Sequence, residues 1–279
     1  MKYKLIALDL DGTLKNSQNK ITPKTKEALI QVQKLGVKIV LASGRPTPGL
    51  RHEVAELELE KYGGYTLSFN GARIVNAKTK ETVFEQTLTI EEAKKGYDRA
   101  KEYGLACITY QDDILITEDI DDEYVYAEAY LNDIQKKKVD SFKDSLKDPI
   151  HKVLLTGKPE YVGTIEEEFK QPFQGSLSIY RSAPFFIEIM AKGIDKAASL
   201  DRLAKSLGIK QEEVMAFGDG YNDLSMIEYA GCGVAMANAV EGVKERANII
   251  TLSHDEDGIA YTLMREIEGM DESCCQMIQ

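Results

Sequence analysis

Two aspartates near the N-terminus, Asp9 and Asp11, directly follow a short apolar run. That run, Lys4–Leu8, predicts a buried strand, so both carboxylates would lie at the carboxyl end of a parallel strand, where open α/β sheets bind ligands. If the chain stays extended, both side chains point to one side, and Gly12 permits a sharp turn after them. Carboxylates this close need a cation or a shared proton, and Mg²⁺ suits them because it prefers oxygen ligands. Taken alone, the pattern is equally that of an ordinary acidic turn after a strand.

The segment Gly218–Asp223 repeats this arrangement after a second apolar run, Val214–Phe217. Two acidic, glycine-flanked turns at one edge of one sheet would form an oxygen cage from distant parts of the sequence. The alternative interpretation is that Asp219 or Asn222 caps a following helix, predicted over Asp223–Tyr229. Capping is compatible with a ligand role.

Two further segments carry groups suited to phosphoryl oxygens. Ser43 and Gly44 follow another apolar run and offer a hydroxyl and backbone N–H groups, whereas Arg45 could either clamp a phosphate or pair with a carboxylate. Asp195 is the predicted N-cap of a helix that has Lys196 in its first turn. A lysine there is unfavourable by ~0.3–1 kcal/mol against the helix dipole unless an anion lies nearby. This conflict favours a Lys196 that faces a phosphate.

Together the four segments predict a site for phosphoryl transfer, which needs an in-line nucleophile and compensation of the charge on the phosphoryl oxygens. One aspartate can attack phosphorus to form an acyl phosphate, which is covalent catalysis by a carboxylate. A second aspartate can protonate the leaving oxygen and later activate water. The residues alone leave open which of Asp9 and Asp11 takes which role.

Alternating strands and helices must position these segments. A helix predicted over Thr22–Leu35 has Thr22 as its N-cap, Pro23 in its first turn and Gly36 as its stop, and it lies between predicted strands. Strand, helix, strand in this order predicts a right-handed crossover and a parallel sheet. The other elements predicted for this sheet are strands over Val37–Ala42, Tyr65–Phe69, Gly233–Met236 and Asn248–Thr251 and a helix over Ala197–Leu207.

The pattern changes between about Thr82 and Ala191. Longer alternating strands, such as Ala106–Ile116 and Leu177–Ile189, occur there with acidic amphipathic helices between them. An inserted second domain is the economical interpretation, and the predicted fold class is α/β.

Composition narrows the possible partners. The 279 residues are 43% hydrophobic and 29% charged, which is typical of a globular protein. No run of about eighteen apolar residues occurs, so neither a membrane span nor a signal peptide is expected. The net charge of −11 disfavours nucleic acid, and Lys136–Lys138 is interpreted as a solvated helix end. The four cysteines are Cys107, Cys232, Cys274 and Cys275. They lack the spacing of a zinc site or a disulfide scaffold, which fits a reducing cytoplasm. The pair Cys274 and Cys275 in the polar tail is interpreted as incidental.

In their order along the chain, these motifs closely resemble the four motifs of the haloacid dehalogenase-like superfamily, in particular its Cof-type sugar-phosphatase-like branch. The matching segments are Asp9–Leu14, Ser43–Pro46, Lys196 and Gly218–Asp223. The resemblance spans essentially the whole chain. It departs at the third motif, where relatives often carry Lys-Gly-x-Ser-Lys-Gly and this chain has Asp195 in place of the serine.

The resemblance implies a Rossmann-like catalytic core over residues 1–82 and 191–279, with an inserted α/β cap over residues 83–190 that determines specificity. It implies that Asp9 is the nucleophile and Asp11 the acid/base. The implied Mg²⁺ ligands are Asp9, Asp11 through its backbone carbonyl, and Asp219, supported by Asp223. The groups expected to contact phosphate are Ser43, Gly44, Lys196 and Asn222.

The predicted function is therefore that of a cytoplasmic, Mg²⁺-dependent phosphatase, which acts on a small phosphorylated metabolite such as a sugar phosphate. The protein is expected to be a monomer or homodimer and to have no nucleic-acid or membrane partner. A phosphomutase is a close alternative, because a phosphoaspartate can return its phosphoryl group to substrate instead of water. A non-catalytic phosphate-accepting regulatory module is another, although such domains are shorter and lack a second acidic loop. Neither a P-loop nor a Gly-x-Gly-x-x-Gly follows a predicted strand, which argues against those nucleotide enzymes.

Overall fold

The computed structural model describes residues 1–270. Cys274 and Cys275 lie outside this range, so their interpretation stays a prediction. The strands are β1 (Leu5–Leu8), β2 (Lys38–Ala42), β3 (Tyr65–Ser68), β4 (Arg73–Asn76), β5 (Thr82–Glu85), β6 (Ala106–Gln111), β7 (Ile114–Thr117), β8 (Gln135–Lys138), β9 (Lys152–Thr156), β10 (Leu177–Ala183), β11 (Phe186–Ala191), β12 (Val214–Gly218), β13 (Cys232–Ala235) and β14 (Ile249–Ile250). The α-helices are α1 (Pro23–Lys34), α2 (Arg51–Glu56), α3 (Leu59–Tyr62), α4 (Ile90–Glu102), α5 (Glu123–Leu131), α6 (Phe142–Ser145), α7 (Pro159–Lys170), α8 (Lys196–Ser206), α9 (Leu224–Tyr229), α10 (Glu241–Lys244) and α11 (Gly258–Glu266). Among the described residues, every helix is too short or too polar to cross a bilayer.

The chain forms two compact units. The first contains Met1–Gly44, Leu50–Phe84 and residues 195–270, and the second contains Arg45–Gly49 and Glu85–Ile194. The predicted fold class, an α/β protein with a Rossmann-like parallel-sheet core and an inserted α/β region, is confirmed. The predicted domain bounds and the role of the insertion as a cap stay predictions.

An eight-stranded sheet forms the centre of the first unit, in the order β14-β13-β12-β1-β2-β3-β4-β5. Strands β14 to β3 are paired in parallel, and β4 is antiparallel to β3. Leu8 of β1 is in register with Phe217 of β12 and with Leu41 of β2, so these three strands end at one edge of the sheet. The residues that directly follow them are Asp9, Asp219 and Ser43.

Apolar side chains cover both faces of this sheet. All four residues of β1 are buried, with Ile6 and Leu8 in one apolar cluster and Leu5 and Ala7 in another. A short, continuously apolar strand is typical of parallel sheets that carry helices on both faces. The buried strand predicted before Asp9 is therefore confirmed.

Side-chain caps begin two helices of the first unit as predicted. The Thr22 hydroxyl accepts the Thr25 N–H at 3.2 Å at the start of α1. Asp195 caps α8, where its Oδ1 accepts the Ala198 N–H at 2.9 Å. The Ser225 hydroxyl donates to Asp195 Oδ2 at 2.5 Å, so both oxygens of this carboxylate are engaged.

The second unit contains a six-stranded sheet in the order β10-β11-β9-β6-β7-β8. Two strand predictions were wrong, because each predicted strand is a hairpin. Ala106–Ile116 divides into β6 and β7 at a turn where Asp112 has a φ of 52°. Leu177–Ile189 divides into β10 and β11 at a turn that begins with Pro184, which lacks the N–H of a ladder residue. Apolar residues resume in the same phase after each turn, so periodicity alone did not mark the turns. The available signals were the polar pair Asp112–Asp113 and Pro184.

The interpretation of Lys136–Lys138 as a helix end was also wrong. These lysines belong to β8, which pairs in parallel with β7 at one end of the sheet order. Lysines on an edge strand oppose pairing with another chain, because the incoming strand would have to desolvate them.

Candidate active site

Three carboxylates from two loops meet at the carboxyl edge of the parallel sheet. Asp9 follows β1, and Asp219 and Asp223 belong to the loop after β12. One carboxylate oxygen of each lies within 4.8 Å of the others. The first loop is joined directly to β12, because the Asp9 N–H donates to the Phe217 carbonyl at 3.1 Å. Acidic residues from opposite ends of the chain thus form one cluster.

Lys196 supplies a positive charge within this cluster. Its Nζ donates to Asp9 Oδ1 and to Asp223 Oδ1, at 2.6 Å each, and its side chain is fully buried. These carboxylates explain how a lysine is tolerated in the first turn of α8, against the helix dipole. One ammonium faces three carboxylates, so the cluster has an excess of negative charge when all of them are ionised.

One hydrogen bond joins the two loops, and two others fix the conformation of the second loop. The Thr13 hydroxyl donates to Asp219 Oδ1 at 2.7 Å, and Asp223 Oδ2 accepts the backbone N–H groups of Asp219 at 3.0 Å and Gly220 at 2.9 Å. Gly12 has a φ of 86°, and a Cβ at this position would clash with the Asp219 carboxylate. Only glycine permits both this conformation and this close approach.

Burial shifts the pKa values of the clustered groups. It raises the pKa of Asp9 well above the ordinary value, with repulsion from Asp223 adding to the shift and attraction to Lys196 opposing it. Burial also raises the pKa of Asp219 to about 6, against the hydrogen bond from Thr13. Burial lowers the pKa of Lys196, but attraction to Asp223 and Asp9 outweighs it, so the net shift is upward and the lysine stays charged. Three clustered carboxylates are a donor set that a hard divalent cation fits.

The shifted pKa of Asp219 predicts how stability depends on pH without metal. The folded state holds this proton more tightly than the unfolded chain, so the associated stability is present at acid pH and is lost as the pH rises through about 6. We expect Asp219→Asn to melt at a higher temperature than the wild type at pH 7 in EDTA, and this difference to shrink by pH 5. Thermal unfolding of both proteins at the two pH values measures it.

Added Mg²⁺ should stabilise the folded protein at the pH where the clustered carboxylates are ionised. It should raise the melting temperature of the wild type at pH 7, and raise it less at pH 5, where protons compete for the same oxygens. Asp219→Asn serves as the matched control and should respond less, because it lacks one carboxylate. Equal responses of both proteins at pH 7 would contradict a metal site at this cluster.

Asp11 lies outside the three-carboxylate cluster. The chain does not stay extended after β1, because the Leu14 N–H donates to the Asp9 carbonyl at 3.2 Å and closes a turn. The expectation that Asp11 and Asp9 point to one side depended on an extended chain. The Asp11 side chain is exposed, and its assignments as acid/base and as a backbone ligand stay predictions.

Ser43 and Gly44 follow β2 at the same edge of the sheet. Ser43 is buried, its N–H donates to the Leu67 carbonyl at 2.9 Å, and its carbonyl accepts the Asn70 N–H at 2.9 Å. A Cβ at Gly44 would lie 3.1 Å from the Asn70 side-chain nitrogen, so the two loops are closely packed. The turn after β2 is thus fixed next to the turn after β3.

Two other predicted residues have different surroundings. Asn222 is exposed and close to Gly220 in the loop after β12. Arg45 belongs to the second unit, where its Nη1 donates to the Leu131 carbonyl at 3.0 Å. The phosphate contacts assigned to Ser43, Gly44, Lys196 and Asn222 stay predictions.

Asn238 is a supporting residue that the sequence interpretation missed. Its side-chain nitrogen donates to the Gly12 carbonyl at 2.8 Å, and its oxygen accepts the His254 N–H at 3.0 Å. It therefore ties the turn after Asp9 to a later loop of the same unit. An asparagine shortly after β13, which ends at Ala235, was the available signal.

Comparison with known families identifies the chain. The sequence model of the haloacid dehalogenase-like hydrolases matches residues 6–263, a range that runs from β1 into α11 and includes the whole cluster. The chain belongs to this family. The predicted resemblance is therefore confirmed.

Solved structures and a relative agree with this assignment. A haloacid dehalogenase-like hydrolase from Bacteroides thetaiotaomicron is 44% identical with a TM-score of 0.90, over 95% of this chain and 99% of that one. The HAD subclass IIB sugar phosphatase BT4131 is 29% identical with a TM-score of 0.78, over 94% and 98% of the two chains. The presumed phosphatase YxeH of Bacillus subtilis (strain 168) is 39% identical over 94% of this chain and 97% of YxeH.

This haloacid dehalogenase-like hydrolase is a phosphoric monoester hydrolase. The prediction of an enzyme is confirmed, and the non-catalytic regulatory module is not supported. Phosphatases of the family generally use Mg²⁺, and the cluster of Asp9, Asp219 and Asp223 is a place in the described structure that could hold it.

Proposed function

We propose that this hydrolase is a Mg²⁺-dependent phosphatase that removes phosphate from small metabolites, sugar phosphates in particular, through a phosphoaspartate on Asp9. The observation that carries this proposal is the buried cluster of Asp9, Asp219 and Asp223 with Lys196. The cluster combines a carboxylate nucleophile, several hard oxygen donors and a fixed positive charge. Phosphoryl transfer depends on positioning and on charge compensation of this kind.

The metal assignment follows from the donor set. Asp9, the Asp11 backbone carbonyl and Asp219 are the groups that we assign as ligands of Mg²⁺. Asp223 supports them, because its Oδ2 accepts two N–H groups of the loop that carries Asp219. When bound, the cation would offset the negative charge of the phosphoryl oxygens.

In the first step, a carboxylate oxygen of Asp9 forms a bond to phosphorus as the bond from phosphorus to the leaving oxygen breaks. Asp11 gives its proton to that oxygen, so the products are an alcohol and an acyl phosphate. In the second step, Asp11 takes a proton from water, which attacks phosphorus, releases inorganic phosphate and restores the Asp9 carboxylate. The groups assigned to hold the phosphoryl oxygens are Ser43, the Gly44 backbone, Lys196 and Asn222.

The substrate class is proposed from the structural neighbours and the insertion. BT4131 is described as a sugar phosphatase, and it matches this chain over nearly its whole length. We assign the insertion, residues 83–190 in the predicted bounds, as the cap that selects among phosphorylated metabolites. Exclusion of water by such a cap would favour transfer to Asp9 over side reactions.

A panel of hexose, pentose and polyol phosphates, assayed with Mg²⁺ and with EDTA, tests the proposal. We expect free phosphate to appear only with Mg²⁺ and without isomerised sugar phosphate. Isomer formation with little free phosphate would instead establish the phosphomutase alternative. Phosphate release that EDTA leaves unchanged would contradict the assigned metal.

A further inference from the structure

A cavity of about 680 Å³ lies at one edge of the sheet of the second unit, and none of its lining residues is assigned to phosphoryl transfer. Strands β7, β8 and β9 run in the same direction, because β7 and β8 are parallel and β6 is antiparallel to both β7 and β9. All three strands end at this cavity, and helices α5 and α7 begin there. Pockets of this size hold small molecules.

One residue of the cavity wall has a buried hydroxyl without a hydrogen-bond partner. Thr156, the last residue of β9, lines the cavity and is 1% exposed, and its hydroxyl makes no hydrogen bond to any of residues 1–270. Apolar neighbours in the lining, such as Leu105 and Ala106, offer it none. Native proteins leave few buried hydroxyls unpaired, because each forfeits its bonds to water. A polar ligand in the cavity would supply the missing partner.

Some charged groups of the lining are already engaged. Lys101 pairs with Glu118 at 3.1 Å and with Asp119 at 3.3 Å. The Asp122 carboxylate caps α5, where it accepts the Tyr124 N–H at 2.9 Å. These groups form part of the wall of the cavity, and their existing contacts leave them few donors or acceptors to offer a ligand.

Four other charged side chains of the lining form no ion pair within the described part of the chain. Asp121 and Glu123 are negative and exposed, and Lys138 and Lys158 are positive and exposed. Lys158 also stands at the start of α7, which has no side-chain cap, so the positive end of that helix dipole adds to its charge. Opposite charges are thus presented separately around one cavity.

We propose that this cavity binds a small zwitterion that carries both an ammonium and an acidic group, the chemical class of a free amino acid. The ammonium would face Asp121 and Glu123, and the acidic group would face Lys138 and Lys158. Thr156 would hydrogen-bond to the ligand between them. A simple anion would leave the acidic set of charges unmatched, and a neutral sugar would leave both sets unmatched. This site is additional to the proposed phosphatase site.

Binding of the standard L-amino acids to the full-length protein, measured by thermal shift and then by calorimetry, tests this inference. We expect at least one to bind with one-to-one stoichiometry. The amine and the carboxylic acid that correspond to that amino acid, each with one charge removed, should bind at least about tenfold more weakly. Saturable binding by none of the amino acids, or equally tight binding of a single-charge analogue, would overturn the proposal.

Variants locate the binding site. Thr156→Val and Lys158→Met should each weaken binding by about tenfold, whereas Thr164→Val, an exposed position of α7, should not. Thr156→Val should also raise the melting temperature of the ligand-free protein by about 2 °C, because it removes an unpaired buried hydroxyl. Turnover of p-nitrophenyl phosphate without amino acid should stay unchanged in these variants. Unaltered binding in both Thr156→Val and Lys158→Met would place the ligand elsewhere and refute the assignment.

Discussion

Asp9→Asn is expected to lower phosphatase turnover by at least about 10⁴-fold and to leave the fold intact, because an amide oxygen is a poor nucleophile toward phosphorus. The substitution keeps the size of the side chain and can keep an acceptor for the Lys196 ammonium. It also removes one of the negative charges that repel one another in the buried cluster. Initial rates with p-nitrophenyl phosphate and circular dichroism of the same samples measure the two effects.

A control and a trapping experiment make this result specific. Asp201→Asn removes a half-buried carboxylate of α8 that lies outside the cluster and pairs with Lys205, and it should keep activity within about twofold. Wild-type enzyme quenched in acid during turnover of a ³²P-labelled substrate should carry label on protein, whereas Asp9→Asn should carry none. Turnover by Asp9→Asn at the wild-type rate, or label that persists in it, would remove Asp9 as the nucleophile.

Lys196→Met is expected to have the second large effect, on stability and activity together. Its ammonium is fully buried between Asp9 and Asp223, so its removal leaves buried carboxylates without their positive partner. Breaking a buried ion pair in this way costs about 3–5 kcal/mol. We also expect activity to fall by at least about 10²-fold, because the group that offsets charge next to the nucleophile is lost. Urea denaturation and initial rates test both expectations.

The same helix offers a matched control for this substitution. Lys205 of α8 is 74% exposed and pairs with Asp201 at 2.7 Å, so Lys205→Met should change stability by less than about 1 kcal/mol. Adding Asp223→Asn to Lys196→Met should recover part of the lost stability, because one of the stranded charges is then removed. If Lys196→Met and Lys205→Met unfold at the same urea concentration, the buried ion pairs of Lys196 do not contribute the expected stability.

Local signals in the sequence were sufficient to predict the elements of the first unit and the acidic loops at their ends. The apolar run before Asp9, the Thr22 cap and the Asp195 cap are each determined by a few neighbouring residues, and each prediction is confirmed. Parallel strands of one sheet end at a common edge, so the meeting of Asp9 with Asp219 follows once both strands are recognised. Local chemistry and strand direction together therefore gave the outline of the site.

Tertiary structure decided which side chains are partners. Helix position alone placed Lys196 near an anion, but only the packing of α8 shows that Asp9 and Asp223 both accept its hydrogen bonds. The unpaired hydroxyl of Thr156 was equally out of reach of the sequence. The hairpin turn at Asp112, by contrast, carried a local signal in the polar pair Asp112–Asp113, which an interpretation from periodicity overlooked. Periodicity shows on which face of its own helix or strand a residue lies. Hydrogen bonds, cavities and pKa shifts depend in addition on which side chains of other elements pack against that face.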